Sequence, residues 1–386
     1  MIARLNSKQK KQYAVCIIQP VMKQYRVPFF LELEKILADL GVRLTVVYGT
    51  PWRGEAARGD HADLPAPLGH GVNSSMLLGK VLVIPVLRAW LAADLVVVEH
   101  ANKNLLNYLL AALQRLGLKR LAYWSHGRDR QADPQARGER FKRRSLHWAN
   151  WWFAYTDDAG RYVAQQGFDP ARITVVQNAI DTRELRECLA DVADVERSQL
   201  LDELGWPADC RIAIYCGSLY ENKRFDLLME SADSVHQHHP AFRLLIVGGG
   251  PMSKQIEAYA RQRAWVHWAG PKFGREKAAF LSLAEMWLNP GLVGLGILDA
   301  FCARLPLLTT DLPLHSPEIE YLEPGINGLI TAPQASAFAE AIESLLNHSA
   351  KLGRMRAAAE AASHRYSIET MAQNFATGVE RCLGLS

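Results

Sequence analysis

The segment RIAIYCGSLYENKRFDLLMESA, residues 211–232, passes from an apolar run (Ile212 to Tyr215) through a glycine-serine turn (Gly217, Ser218). It then crosses a charged stretch into a helical pattern starting near Phe225. A short unbroken apolar run is the mark of a strand buried on both faces, and a turn into a helix is how such a strand leaves a parallel sheet. The unit repeats downstream. Strands are expected at 243–247, 265–268, 286–288, 307–309 and 328–330, with helical stretches between them. Upstream the same alternation has already run once, with strands at 13–18, 44–48, 95–98, 120–124, 152–155 and 173–176. Helices are expected there at 28–40, 105–115 and 158–166. Each sheet needs its own core, so the sequence predicts an α/β chain of two Rossmann-like, doubly wound parallel-sheet domains facing a cleft. The first is expected over 1–184 and the second over 185–365, with the boundary in the polar stretch 181–211. Residues 366–386 place Met371, Phe375, Val379 and Cys382 at helical spacing and are expected to return to the first domain as a terminal helix. Residues 51–75, rich in Gly, Pro, Ala and charge, read as a long loop.

With 386 residues, 22% charged and 49% apolar, the chain has the length of two ordinary domains and the mix of a globular protein. Disorder, collagen and coiled coil are excluded. The net charge of +4 hides an asymmetry. Residues 1–180 hold 25 Lys and Arg against 14 Asp and Glu, and the remainder holds 19 against 26. A basic face usually meets phosphate on a nucleic acid, a nucleotide or an anionic membrane. The six cysteines are scattered without a CxxC pair, which argues for a reducing compartment and against structural zinc. The apolar run 13–18 is too short for a secretory signal, and 76–98 is broken by Lys80, Pro85, Arg88 and Asp94. A cytoplasmic location is expected.

Five segments carry chemistry. In 215–224, a turn at Gly217 and Ser218 followed by Lys223 and Arg224 is either a pyrophosphate site or an ordinary strand-to-helix turn with a solvated lysine. The glycines of 247–251 lack dinucleotide-binding spacing and are read as a tight turn. In 289–300, Gly291, Gly294 and Gly296 precede a helix whose free N–H groups can face a phosphate or sugar oxygen. Asp299 can accept from a ribose diol, or simply favour the helix dipole. In 314–320, Pro317 and Glu318 fit a ligand edge or plain helix capping. His126, beside Gly127 at a strand end, can reach a cleft or be structural. Tyr25, Arg26, Glu99, His100 and Asn102 also fall at strand ends.

Taken in order, these segments resemble the retaining nucleotide-sugar-dependent glycosyltransferases of family 4, which have the GT-B fold. The resemblance is carried by GSLYENKRFDLLMESA, LLIVGGGP, NPGLVGLGILDAFCARLPLLTTD and PEIEYLEPGINGLI, with WSHGRD and VVQNAIDT in the front half. It spans nearly the whole chain and is strongest over 212–330. It implies that Lys223 neutralises the donor diphosphate, with Arg224 beside it, and that Gly217 and Ser218 meet the phosphates. Gly294, Leu295 and Gly296 would form the loop over the donor sugar, Asp299 would hold the ribose, and His126 would contact the sugar near the reacting carbon. Glu318 matches a recurrent glutamate near the donor site. It further implies transfer without a metal ion or cofactor, a UDP-sugar rather than a GDP-sugar as donor, and a glycan or lipid-linked acceptor. Tyr25, Arg26, Glu99 and Asn102 are the acceptor candidates, and bacterial surface polysaccharide assembly is the expected setting. There are departures. Ser218 replaces the usual arginine, Gly291 falls where the first glutamate of a pair is usual, Asp299 shortens the second, and 19–26 replaces a glycine-rich turn.

The run 128–152 holds Arg137, Arg140, Lys142, Arg143, Arg144, Trp148 and Trp151. One reading docks these cations on the inner face of the cytoplasmic membrane, each worth about 1 kcal/mol near anionic lipid. The other makes the arginines a solvated helix face and the tryptophans the start of a buried strand, and the tryptophans are expected to be mostly structural. Two rivals remain. A nucleotide-sugar epimerase uses two such domains but needs acid/base carboxylates that no motif supplies. A nucleic-acid-binding protein would use the basic half but lacks a recognition helix, RNP motif or zinc module, so no nucleic acid partner is expected.

Overall fold

Unbroken apolar runs and the turns between them set the architecture. The structure, a computed structural model, describes residues 12–51, 60–77, 81–85, 91–128, 137–313 and 315–385. The basic segment before residue 12, residues 52–59 of the 51–75 loop, Lys80 and Arg88, residues 129–136 of the basic run and Leu314 lie outside the described residues. The chain divides into two units, Met1–Gln177 with Ile368–Ser386, and Asn178–Ser367.

In the first unit, β1 (Tyr13–Gln19) has Val15, Cys16, Ile17 and Ile18 fully buried, the two-sided burial that its apolar run implies. It is followed by α1 (Val27–Asp39), β2 (Val42–Gly49), β3 (Gly69–Val72) and a hairpin of β4 (Ser75–Leu77) with β5 (Val81–Val83). Next come β6 (Leu95–Val98), α2 (Leu105–Arg115), β7 (Arg120–Ser125), α3 (Arg137–Ser145), β8 (Trp151–Ala154), α4 (Asp157–Gln165) and β9 (Ile173–Val175). The sheet order is β3-β2-β1-β6-β7-β8-β9, with every pairing parallel. The C-terminal helix Ile368–Leu383 closes this unit. Its Phe375 stacks flat on Phe153 at 4.0 Å between centroids and meets Phe29 and Trp124 edge-on.

One expectation is corrected here. The stretch 51–75 is not a single loop, because Gly69–Val72 pairs with β2 as an edge strand. Its sequence, GHGV, is nearly without apolar side chains, so the backbone ladder alone makes the strand and no hydrophobic pattern announces it.

The second unit opens with α5 (Arg183–Asp191) and α6 (Asp194–Leu204), inside the stretch where periodicity lapses. No residue of α6 is buried, and an Arg275–Glu196 ion pair of 2.7 Å helps hold it, which is why its sequence shows no apolar stripe. Then follow β10 (Arg211–Cys216), α7 (Phe225–His238), β11 (Phe242–Val247), α8 (Ser253–Arg261), β12 (Val266–Gly270), α9 (Gly274–Leu283) and β13 (Met286–Leu288). The unit ends with α10 (Gly296–Cys302), β14 (Leu307–Thr310), β15 (Gly328–Thr331), α11 (Ala335–Asn347) and α12 (Ser349–Arg365). Its sheet, β12-β11-β10-β13-β14-β15, is also wholly parallel. The glycine triplet after β11 is a tight turn. A Cβ on Gly248 would lie 1.8 Å from the Gly217 carbonyl oxygen, so the turns after β10 and β11 pack backbone to backbone. Among the described residues no helix is long and apolar enough to cross a membrane.

Candidate functional site

In the second sheet the strand order reverses between β10 and β13, so their following crossovers diverge and leave a crevice at the carboxyl ends. The two loops bordering it are 217–224 and 289–295. They are tied together. Leu292 donates its backbone N–H to the Asn222 carbonyl at 2.9 Å, and the Lys223 ammonium donates to the Leu292 carbonyl. A Cβ on Gly291 would sit 2.3 Å from Asn222 O and from the Lys223 backbone. The loops therefore meet only because residue 291 has no side chain, and a glutamate has no room there.

Lys223 is half-buried, and burial pushes its pKa down to about 8. Its ammonium is held by a neutral carbonyl, so the charge has been desolvated more than it has been compensated. An anion arriving at this loop restores what burial removed. Gly217 and Ser218 lie exposed at the end of β10, where the Ser218 carbonyl accepts from Tyr215 Oη at 2.7 Å. Arg224 adopts a left-handed φ of 57° and turns its guanidinium to Asp226 at 3.3 Å.

The loop after β13 is pinned by Thr310 of β14 and by a histidine of the 314–320 segment, which the sequence marked only for its Pro317 and Glu318. Buried His315 accepts from Val293 N–H through Nδ1 at 3.0 Å, and its Nε2 lies 2.8 Å from the Thr310 carbonyl. Those roles make it the neutral Nε2–H tautomer. Thr310 Oγ1 donates to Pro290 O at 2.6 Å. Gly294, Leu295 and Gly296 lead from this pinned loop into α10, whose Asp299 is ion-paired with Lys277 at 2.7 Å. Desolvation pulls Lys277 down, but Asp299 outweighs it and the lysine's pKa rises. Lys277 lies 22 positions before its partner, with no motif to link them. Glu318 is buried and accepts from Asn178 Nδ2 at 2.5 Å, tying the helical turn Pro317–Tyr321 to the start of this unit.

In the first sheet the reversal falls between β1 and β6, and a recess of about 240 Å³ opens at their carboxyl ends. Lys23, Tyr25, Arg26, Glu99 and Lys103 line it. Arg26 is buried, its guanidinium 4.8 Å from the Trp124 ring and 5.0 Å from Tyr25. Burial raises the pKa of Glu99 against the opposing pull of Lys103 and Lys142. His126 packs edge-on against Tyr155, another wall of the recess, at 5.2 Å.

Three of the four acceptor candidates thus share one recess. Asn102 does not line it, and instead donates to the Gly138 carbonyl at 2.9 Å. His100 is corrected to a core residue. It is 3% exposed, packs at a tilt against Tyr123 at 4.6 Å and bonds Ser145 Oγ at 2.8 Å, and burial pushes its pKa down to about 3. Trp151 and Trp152 are buried in β8. Among the described residues no group of His, Cys, Asp and Glu is arranged to hold a metal ion.

Two family models match this chain, Glycosyltransferase Family 4 over residues 29–184 and Glycosyl transferases group 1 over residues 210–348. Both models describe glycosyltransferase domains, and each covers less than half of the chain. The first match takes in β2 to β9 of the first sheet and leaves out β1, and the second takes in the whole of the second sheet. The chain is 28% identical over 159 residues to the Bacillus subtilis (strain 168) protein named "Putative glycosyltransferase EpsD", an alignment covering 40% of this chain and 41% of that protein. The chain thus spans about two fifths of that relative's length. Among solved structures it is similar to Anabaena HepE in complex with UDP, with a TM-score of 0.66 at 16% identity over 95% of this chain and 100% of that one. A glycosyltransferase from Rickettsia africae superposes with a TM-score of 0.69 at 13% identity, covering 98% of this chain and 100% of that one. At such identities these structures speak for the GT-B fold.

Proposed function

We propose that this chain is a glycosyltransferase that moves a sugar from a UDP-sugar to a glycan or lipid-linked acceptor, with retention of anomeric configuration and without a metal ion, in bacterial surface polysaccharide assembly. The observation that carries the reading is the desolvated Lys223 ammonium, held on the Leu292 carbonyl at the point where the second sheet reverses its strand order. Cleaving the bond between the sugar and the nucleoside diphosphate leaves positive charge on the sugar and negative charge on the departing phosphate. A preorganised cation in a partly dry site stabilises that phosphate more than water does. Gly217, Ser218 and the 294–296 segment would add backbone N–H donors. The pairing of Asp299 with Lys277 holds a carboxylate in place for the ribose hydroxyls. In the first unit, Tyr25, Arg26 and Glu99 would receive the acceptor and His126 the donor sugar.

The test is a panel of nucleotide sugars incubated with and without acceptor glycolipid, with free nucleotide and product anomer as the readouts. The reading expects acceptor-dependent release of UDP, a product of unchanged anomeric configuration, and a rate indifferent to EDTA. Interconversion of nucleotide sugars without acceptor would identify an epimerase instead. Loss of turnover on chelation would remove the metal-free part of the proposal.

A further inference from the structure

Helix α2 is apolar on both sides. Leu106, Leu110 and Ala111 face the core, as an amphipathic helix requires. The opposite side carries Leu105, Tyr108, Leu109 and Ala112, and Leu116 just beyond the helix end continues the same stripe. Leu105 and Leu109 are 50% and 48% exposed, and Leu116 is 70% exposed. An outward stripe of this kind, one helix long, marks an interaction surface.

The stripe continues into α3 without a polar break. Tyr108 lies 6.1 Å from Phe141 and 5.9 Å from Trp148, and Phe141 and Trp148 are 5.6 Å apart, all between ring centroids. The Arg115 guanidinium sits 5.4 Å over the Trp148 ring. Trp148 thus differs from Trp151 and Trp152, which are buried in β8. Along α3, Arg140 and Arg144 are exposed one helical turn apart, with Lys142 and Arg143 beside them. Leucines, aromatic rings and a border of cations therefore lie on one face of the first unit.

We propose that the outer face of α2, with Phe141, Trp148 and the exposed arginines of α3, docks on an anionic lipid bilayer. Leucines and rings would enter the boundary between headgroups and acyl chains while Arg140 and Arg144 meet lipid phosphates. Charge complementarity favours this occupant over a second copy of the chain. A two-fold interface through α2 would set one α3 against the other and bring like charges together. The proposal goes beyond the transfer reading and does not depend on it, because docking is measured without turnover.

The experiment is cosedimentation of the purified chain with vesicles of phosphatidylethanolamine and phosphatidylglycerol, against vesicles of phosphatidylcholine, at low and physiological salt. Two variants accompany it, Leu105→Gln with Leu109→Gln and Leu116→Gln, and Arg140→Glu with Arg144→Glu. All five positions are exposed, so melting temperature and circular dichroism should match the wild type. The wild type is expected in the anionic pellet, with part of its tryptophan fluorescence quenched by brominated lipid and that part lost in a Trp148→Phe variant. The leucine and arginine variants should each lose about tenfold or more of their partitioning. A wild type that stays in the supernatant with anionic vesicles, or a leucine variant that pellets as well as wild type, overturns the proposal. So does equal binding by the arginine variant. Wild-type dimers that the leucine substitutions dissolve, with vesicle binding unchanged, would assign the face to a second copy instead.

Discussion

Lys223 pairs a cost in stability with a use in binding. Burial holds its pKa near 8, below the value of a solvated lysine, so between about pH 8 and pH 10 the unfolded chain binds more protons than the folded one. Stability therefore rises as pH climbs through that window, and the cost of the buried charge is present in full below it. Lys223→Met removes the charge. It is expected to raise stability at neutral pH by about 1–2 kcal/mol, seen as a higher melting temperature, while turnover falls by about a hundredfold or more. A variant less stable than wild type would show that the ammonium is well compensated in the free protein. Gly291 makes the complementary case. Gly291→Ala places a Cβ 2.3 Å from the Lys223 backbone, so it should cost about 1–3 kcal/mol in chemical denaturation and weaken nucleotide binding together. The sequence shows that a glutamate is missing at this position, but only the contact between two loops explains why glycine stands there.

At the scale of elements, the strands were legible because the sheets are buried on both faces and their apolar runs are unbroken. β13 is three residues long and still readable as MWL between a helix and a polar loop. What escaped notice lacks that signal. β3 pairs through its backbone, and α6 lies on the surface without an apolar stripe. The pinning of the 289–295 loop was equally hidden, because His315 reaches it across 22 positions of chain. His315→Ala would strand the buried Val293 N–H at a cost of about 1–3 kcal/mol and loosen the loop. The expected signature is a rise in KM for the nucleotide sugar with a smaller change in kcat. An unchanged KM would mean that the loop holds its shape without the histidine.

For the whole molecule, the first unit is completed by a segment from the far end of the chain. Phe375 fills the space between Phe29, Trp124 and Phe153, so Phe375→Ala should destabilise by about 3–5 kcal/mol, read as an early unfolding transition. A loss below about 1 kcal/mol would mean that the helix docks by other residues. The charge asymmetry also takes on a definite meaning at this scale. The half with 19 basic against 26 acidic residues is the one assigned an anionic ligand, because a single desolvated lysine at a strand end outweighs the sign of the remaining surface. Titration of UDP into the wild type and Lys223→Met across the lysine's transition tests that assignment most directly. The account predicts wild-type affinity that falls about tenfold between pH 7 and pH 9 as Lys223 loses its proton, and weak, pH-independent affinity in the variant. Equal affinity in the two proteins at pH 7 would contradict it.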